Sequence, residues 1–354
     1  MRGAVRRRGR MPPVAGSPWR LTAGAGLALT AVLFLLPLLT VRGEGGGAAG
    51  ETENAPLTAT APEGQTTRAA RDRGHIVKLL QPDGTVEELT MVDYLFGVVA
   101  AEMPAAFEEE ALKAQACAAR TYTVVRQASA HAAHPQADVC TDSGCCQAYV
   151  ERQAAETRWG ISAGTYSAKI SQAVADTDGL GILYQGAPIQ AVFFSSAPGQ
   201  TADAVAVWGS QVDYLKSVSS PERDEVPNYR SQVVLTAEEV RSRVLAAYPG
   251  ADLSGDPSGW FGTPASSGGA VTSIPVGGVT LTGSQVRTLF SLRSAAFTVA
   301  WDGTSFTFSV TGYGHGVGMS QYGANAMAKE GSSFRDILTW YYTGAQVDDL
   351  WAES

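Results

Sequence analysis

An uncharged apolar segment near the amino terminus constrains this 354-residue chain more than any other feature. Residues 21–41 carry no charge, and as an α-helix they are long enough to cross the hydrocarbon core of a bilayer, about 30 Å thick. Six arginines and no acidic residue lie in residues 1–20. Because basic residues beside a membrane helix stay in the cytoplasm, we predict a cytoplasmic segment at 1–20, a transmembrane signal anchor at 21–41 and a body outside the cytoplasm. A cleaved signal peptide is the alternative.

The rest of the chain, residues 42–354, is acidic, with 20 basic against 34 acidic side chains and a net charge of −14. Phosphate backbones repel such a body, which argues against nucleic acid as a partner. Residues 42–74 are rich in Gly, Ala, Thr, Pro and Glu, a composition typical of a flexible linker. Apolar residues recur regularly from His75 onward, so we predict one continuous domain at 75–349.

Local patterns predict an α+β domain that is helical at its start and β-rich later. An Asp83-Gly84 turn between two apolar runs predicts a hairpin, and apolar periodicity predicts helices at 90–101 and 107–126. Runs of β-branched and aromatic residues predict later strands at 189–195, 214–218, 231–235, 279–282 and 296–301. Short helices are predicted at 237–247, 283–292 and 319–330. Strands and helices do not alternate as βαβ units would.

One carboxyl, that of Glu102, lies where the first predicted helix meets Met103-Pro104. Proline ends the helix, and the apolar neighbours would desolvate the carboxyl and raise its pKa. A carboxyl that stays protonated near neutral pH can serve as a general acid. The residue types alone leave a plainer alternative open, in which Glu102 caps the next helix or pairs with Arg120.

A glycine-rich segment at 312–324 has five glycines in thirteen positions, two of which flank His315. Because glycine permits positive φ and close backbone approach, we predict a loop that presents His315, Ser320 and Gln321. The glycine spacing does not match a phosphate-binding loop. The alternative is a tight turn around a hydrogen-bonded core histidine.

All four cysteines lie between residues 117 and 146. Cys117 falls within a predicted helix and is expected to be a small core residue. The other three lie close to a histidine, and this set could bind zinc: His134, Cys140, Cys145 and Cys146. Outside the cytoplasm, a disulfide from Cys140 to Cys145 or Cys146 is an equally good alternative, and free thiols are the third.

Several segments, taken in order, resemble the stage II sporulation protein D family, whose members include amidase enhancers. The resemblance spans residues 75–349 and is carried by matched segments at 93–104, 110–122, 146–149, 199–208, 287–297, 314–324 and 337–344. Two of these segments are Asp-Tyr-Leu-Phe-Gly-Val-Val-Ala-Ala-Glu-Met-Pro and Gly-His-Gly-Val-Gly-Met-Ser-Gln-Tyr-Gly-Ala. Long matches in the family's order make chance similarity a poor explanation.

The resemblance implies a membrane-anchored lytic transglycosylase, a lyase that cuts peptidoglycan glycan strands already stripped of their stem peptides. It implies a role in cell-wall remodelling such as septal degradation during sporulation, alongside a cell-wall amidase and other membrane proteins of the same complex. Glu102 matches the family's catalytic acid. Substrate contacts are expected from Arg120, Tyr149, Ser195, His315, Ser320 and Gln321.

The chain departs from the family pattern at three positions. Cys145 stands where a histidine is usual in the zinc-binding loop, Phe194 stands where the family has histidine, and Trp340 replaces a frequent histidine or tyrosine. None of these changes touches Glu102. Two rival functions stay open. One is a non-catalytic glycan-binding scaffold that activates an amidase, and the other is a catalytic rather than structural zinc in the Cys and His loop.

Overall fold

Helices and small sheets are mixed along the chain in the computed structural model, which describes residues 70–129, 132–223 and 225–352. The predicted segments 1–20 and 21–41 and nearly all of the 42–74 linker lie outside the described residues. Among the helices that are described, none has the length and apolar character needed to cross a membrane.

The described helices are α1 Ala70–Arg73, α2 Met91–Glu102, α3 Glu109–Gln127, α4 Arg152–Trp159, α5 Ala163–Asp176, α6 Ala204–Trp208, α7 Ala237–Ala247, α8 Gly283–Phe290, α9 Gln321–Lys329 and α10 Phe334–Tyr341. The described strands are β1 Ile76–Leu80, β2 Val86–Thr90, β3 Val139–Cys140, β4 Leu180–Tyr184, β5 Ala187–Pro188, β6 Phe193–Phe194, β7 Arg230–Thr236, β8 Ala265–Ser267, β9 Ala270–Val276, β10 Val279–Leu281, β11 Phe297–Trp301, β12 Ser305–Thr311, β13 Met319–Ser320 and β14 Gln346–Asp349. This mixture confirms the α+β class.

A first hydrophobic core is built around α2 and α3. The predicted hairpin forms from antiparallel β1 and β2, and β3 adds to β1 in parallel. Thr90 caps α2 by accepting a hydrogen bond from the Asp93 amide. The helices predicted at 90–101 and 107–126 are both confirmed, with their ends within one or two residues. Five of the twelve buried residues of α3 are alanines, and these small side chains let α5, α9 and α10 pack closely against the helix.

A second hydrophobic core lies in the later part of the chain. Antiparallel β7, β12 and β11 form one sheet of this core and β8, β9 and β10 form another, and α7 and α8 pack against the core. Capping boxes fix the starts of both helices, through Thr236 with Glu239 and Thr282 with Gln285. The predictions for 231–235, 237–247, 283–292 and 296–301 are confirmed here.

Two strand predictions are wrong or too long. Residues 214–218 form no strand; this segment instead bonds to a neighbouring loop, with the Thr201 amide donating to the Val218 carbonyl at 2.8 Å. Of the predicted strand 189–195 only β6 forms, in parallel with β13. Helices α4 and α5 also interrupt the part expected to be β-rich. Only Ile170, Ala173 and Val174 are buried on α5, too sparse an apolar pattern to reveal the helix locally.

Candidate active site

Glu102 is the last residue of α2, at the edge of the first core. Most of this helix is buried, from Met91 through Ala100, so its position is fixed on nearly every side. The chain then leaves the helix in extended conformation at Met103, ahead of Pro104. The carboxyl therefore projects from a rigid element into a partly buried position.

Two N–H donors hold the Glu102 carboxyl. The Ala148 amide donates to Oε1 at 2.7 Å, and the Gln321 side-chain amide donates to Oε2 at 3.2 Å. Desolvation by burial raises the pKa of Glu102 above its ordinary value of 4.5, and the two hydrogen bonds offset part of that rise. The carboxyl-terminal end of a helix also disfavours an anion. Glu102 neither pairs with Arg120 nor caps α3, whose N-cap residue is Glu108.

Gln321 is positioned through the amino-terminal cap of α9. The Ser320 hydroxyl accepts a hydrogen bond from the Gly323 amide at 3.2 Å and donates a short one to Oε1 of Glu222. The Ala197 amide donates to the same oxygen at 2.6 Å. Glu222 is buried, and its other carboxyl oxygen has no hydrogen-bond partner among the described residues. This carboxyl fixes the cap, and with it the residue that contacts Glu102.

Sequence reasoning missed Glu222. It lies in a loop without periodicity, 98 residues before Ser320, and no local pattern distinguishes it from a solvated acid. The neighbouring Pro221 and the two serines before it predict only a turn, which does not indicate a buried acid.

Tyr149 packs directly on α2. Gly97 makes this contact possible, because a Cβ at that position would lie 2.2 Å from the tyrosine ring. The ring also stacks with Tyr94 at a centroid distance of 5.9 Å, and burial raises the pKa of Tyr149 to about 12. Since Tyr149 follows Ala148 and is partly exposed, it lies next to the donor that holds Glu102 and can form part of a substrate surface.

His315 is a hydrogen-bonded histidine inside the glycine-rich loop. Its Nδ1 accepts from the Val317 amide at 3.1 Å, which leaves the proton on Nε2, 3.0 Å from the Phe193 carbonyl. Burial lowers the pKa of His315 to about 4, so the ring is neutral at physiological pH. It lies between Phe194 and the exposed Trp208, at centroid distances of 5.5 and 5.8 Å. Both ring nitrogens therefore have backbone hydrogen-bond partners, which fits the alternative of a hydrogen-bonded histidine in a turn.

The structure does not bring all of the predicted substrate residues together. Ser195 is partly exposed, and its backbone carbonyl accepts from the Tyr322 amide at 3.0 Å, one residue beyond Gln321. Ser320 is fully buried by its cap contacts. A glycan can reach the partly exposed Ser195, whereas Gln321 and Ser320 are both buried. We reassign Gln321 to holding the Glu102 carboxyl and Ser320 to a structural role.

Arg120 is also fully buried, in an ion pair with Asp72. Its Nε lies 2.9 and 3.0 Å from the two Asp72 carboxyl oxygens, its Nη2 lies 2.6 Å from one of them, and its Nη1 donates to the Leu180 carbonyl at 2.8 Å. No part of this guanidinium is accessible to a substrate. The expectation that Arg120 binds glycan is corrected to a structural role inside the first core.

The predicted metal ligands do come together. The possible ligand atoms of His134, Cys140, Cys145 and Cys146 all lie within 4.8 Å of one another. The Cys145 and Cys146 amides both donate to the Asp142 carbonyl, at 3.0 and 2.7 Å, and this turn brings the adjacent thiols to the same site. All cysteines are free thiols, so neither of the alternative disulfides is present.

The donor chemistry of this cluster fits a metal ion. His134 Nδ1 lies 3.1 Å from the Ala137 carbonyl, a contact that places the ring proton on Nδ1 and lets Nε2, 3.3 Å from Cys146 Sγ, act as a metal ligand. Burial raises the pKa of the Cys146 thiol, but hydrogen bonds, the largest of them with the Cys140 backbone, outweigh burial and the net pKa is lowered. The four residues could hold a metal, and Cys146 is two residues from the amide that holds Glu102.

Comparisons with known proteins show which family this chain belongs to. The family model described as "Stage II sporulation protein" matches residues 82–184. Stage II sporulation protein D of Bacillus subtilis (strain 168) is 38% identical over 327 residues, covering 91% of this chain and 94% of that protein. The protein of the same name from Bacillus amyloliquefaciens is 37% identical over 75% of this chain. The amidase enhancer of Bacillus subtilis (strain 168) is 27% identical over 72% of this chain and 40% of that protein. The chain belongs to the stage II sporulation protein D family.

Proposed function

We propose that this protein is a membrane-anchored lytic transglycosylase that cuts peptidoglycan strands lacking stem peptides, in cell-wall remodelling linked to sporulation. The observation that carries the proposal is the Glu102 carboxyl, partly buried, raised in pKa and held only by N–H donors. The names of the relatives, a sporulation protein and an amidase enhancer, support the cell-wall context.

The chemistry needs one carboxyl that acts twice. Protonated Glu102 gives its proton to the oxygen between N-acetylmuramic acid and N-acetylglucosamine, and the bond from the anomeric carbon to that oxygen breaks. The carboxylate then takes the proton of the muramyl 6-hydroxyl, whose oxygen bonds to the same anomeric carbon. No water enters, so the second carboxylate of an ordinary glycosidase is not required. The product end is a 1,6-anhydromuramyl sugar, and Glu102 is protonated again.

The two donors suit this double role. Burial favours the protonated acid, whereas the Ala148 and Gln321 N–H groups favour the carboxylate that forms after proton transfer. Because these effects oppose each other, the pKa of Glu102 is raised, yet the side chain can still exist both as the acid and as the carboxylate. Gln321 therefore acts on the proton affinity of Glu102, and sugar contacts are assigned to Tyr149 and Ser195.

The pH dependence follows from the direction of the Glu102 shift. The acid must be protonated to act, so kcat/KM should fall as pH rises through a pKa above the ordinary glutamate value. Gln321→Leu removes a donor to the carboxylate and should move this alkaline limb about one pH unit higher. The exposed Gln153→Ala is the matched control and should leave the profile unchanged. An alkaline limb that stays fixed in Gln321→Leu would contradict this role.

We propose that the Cys and His cluster holds zinc in a structural role. The ion would tie His134 and the Cys140 strand to the Cys145-Cys146 turn, and so stabilise the backbone that presents Ala148 to Glu102. Thiolate-rich sites of four protein ligands are typical of structural zinc, which favours this over a catalytic metal.

Metal analysis tests the zinc proposal. The purified chain should contain one zinc ion, Cys146→Ser should lose it, and chelation should lower the melting temperature and the activity together. Cys117→Ser, which changes a buried thiol of α3 outside the cluster, should keep its zinc. Activity lost on chelation from a chain that stays fully folded would instead indicate a catalytic metal.

The proposed location is the cell membrane, with one span at 21–41, the amino terminus in the cytoplasm and Glu102 facing the cell wall. A cell-wall amidase that strips stem peptides is the proposed partner, because it would produce the substrate. Detergent-purified full-length chain should release anhydromuramyl ends from denuded strands. The scaffold alternative predicts strand binding and amidase stimulation with no new sugar ends.

A further inference from the structure

Two arginines border the glycine-rich loop on the side of the second core. Arg287 lies in the last turn of α8, and the guanidinium carbon of Arg293 lies 4.1 Å from the ring centroid of Tyr313. The charge of Arg287 acts on Tyr313 and His315. The charge of Arg293 acts on Tyr322, next to the residue that contacts Glu102. Both cations therefore lie beside the segment from Tyr313 to Tyr322, which also contains Gln321, the residue that contacts Glu102.

Neither arginine has an anionic partner among the described residues. The ion pairs found there are Arg71 with Asp349, Lys113 with Glu110 and Asp176, and Arg120 with Asp72. Both Arg287 and Arg293 are partly buried, and the Nε of Arg293 is buried without a hydrogen-bond partner. Burial also lowers the pKa of Arg287.

This arrangement has a free-energy cost in the unliganded protein. Partly buried cations are usually paired, because removing a charge from water is unfavourable unless an opposite charge compensates for it. A shortage of carboxylates is not the cause, because residues 42–354 hold 34 acidic side chains against 20 basic ones. Arg126, whose Nε is also buried without a partner, differs in that its Nη2 contacts the Cys146 thiol at 3.9 Å. An anionic ligand would offset the cost at Arg287 and Arg293.

The proposed substrate carries such an anion. Each N-acetylmuramic acid has a lactyl ether whose carboxyl is free only when the stem peptide, joined to it by an amide bond, has been removed. We propose that Arg287 and Arg293 bind this lactyl carboxylate, and that they thereby select strands without stem peptides. Guanidinium groups bind carboxylates through paired, charge-assisted hydrogen bonds that a neutral amide cannot reproduce. The inference rests on the proposed function and adds the residues that read the substrate.

Three matched strand preparations test it with the full-length chain. One has free lactyl carboxylates, the second has them converted to methylamides, and the third keeps its stem peptides. The wild type should favour the free carboxylate by about 10-fold or more in kcat/KM, mainly through KM. Arg287→Gln and Arg293→Gln should each remove most of that preference, and the exposed Arg158→Gln should keep it. Melting temperatures should show that all of these variants are folded.

Binding to a chain inactivated by Glu102→Gln separates this inference from the proposed function. Suppose that the wild type releases no anhydromuramyl ends, while the inactivated chain binds carboxylate strands more tightly than methylamide strands and the arginine variants lose this difference. The carboxylate site then stands and the lyase proposal fails. Equal cutting and binding of carboxylate and methylamide strands would overturn the site. The site would also be overturned if strands with stem peptides bound as tightly as strands with free lactyl carboxylates and the arginine variants lost this binding. The arginines would then bind a carboxylate of the peptide.

Discussion

Glu102→Gln should lower kcat/KM on denuded glycan by roughly 100- to 10,000-fold, the range that general acid–base catalysis contributes. Glutamine has nearly the same size, and its carbonyl oxygen can still accept the Ala148 amide hydrogen bond, which is 2.7 Å long in the wild type. What it lacks is a proton acidic enough to give to the glycosidic oxygen. Activity is measured as anhydromuramyl ends released per chain, and strand binding should be retained.

Glu108→Gln is the matched control for this change. Glu108 is exposed, lies six residues further along the chain and makes no side-chain capping bond at the start of α3. Its substitution should leave kcat/KM within about twofold, because an exposed surface change of this kind has little effect on the fold. Equal activity in Glu102→Gln and Glu108→Gln would contradict the assignment of Glu102 and favour the scaffold alternative.

Asp72→Asn should lower the free energy of unfolding by about 3–5 kcal/mol, since it leaves a buried guanidinium without its counter-charge. The side chains of Asp72 and Arg120 are both fully buried, and the Asp72 amide also donates to Asp178 Oδ1 at 2.9 Å. Urea denaturation measures the loss. Activity per folded molecule should not change, because Arg120 does not contact substrate in this account.

The surface pair of Arg71 and Asp349 provides the control. The Arg71 side chain is 52% exposed, and water screens the attraction, so Asp349→Asn should cost no more than about 1 kcal/mol. Similar losses in Asp72→Asn and Asp349→Asn would show that the buried pair is not a major source of stability. A rise in KM specific to Asp72→Asn would return Arg120 to the substrate site.

Local patterns predicted the parts of the site that depend on neighbouring residues. Thr90 with Asp93 marks the start of α2, and Pro104 marks its end, so the position of Glu102 followed from sequence. The loop ligands His134 and Cys146 were also close in sequence. Sequence alone does not show that Cys145 joins them, since adjacent cysteines rarely reach one ion. The turn at Asp142 brings the Cys145 and Cys146 thiols to the same site.

Local sequence patterns do not predict contacts between residues that are far apart in the chain. Gln321 lies 219 residues from Glu102, and no periodicity indicates that they touch. Arg120 was assigned to substrate because its segment matched the family, whereas its partner Asp72, 48 residues earlier, lies in a one-turn helix with no clear sequence signal. Burial decides between a substrate contact and an internal ion pair, and burial depends on the assembled core.

The product of the reaction tests the central claim most directly. Wild-type chain is incubated with denuded strands in water enriched in heavy oxygen, and the released ends are analysed by mass spectrometry. Intramolecular attack by the muramyl 6-hydroxyl predicts ends that are one water lighter than a hydrolysis product and carry no heavy oxygen, with their formation abolished in Glu102→Gln. Reducing ends that contain heavy oxygen would show hydrolysis and contradict the account.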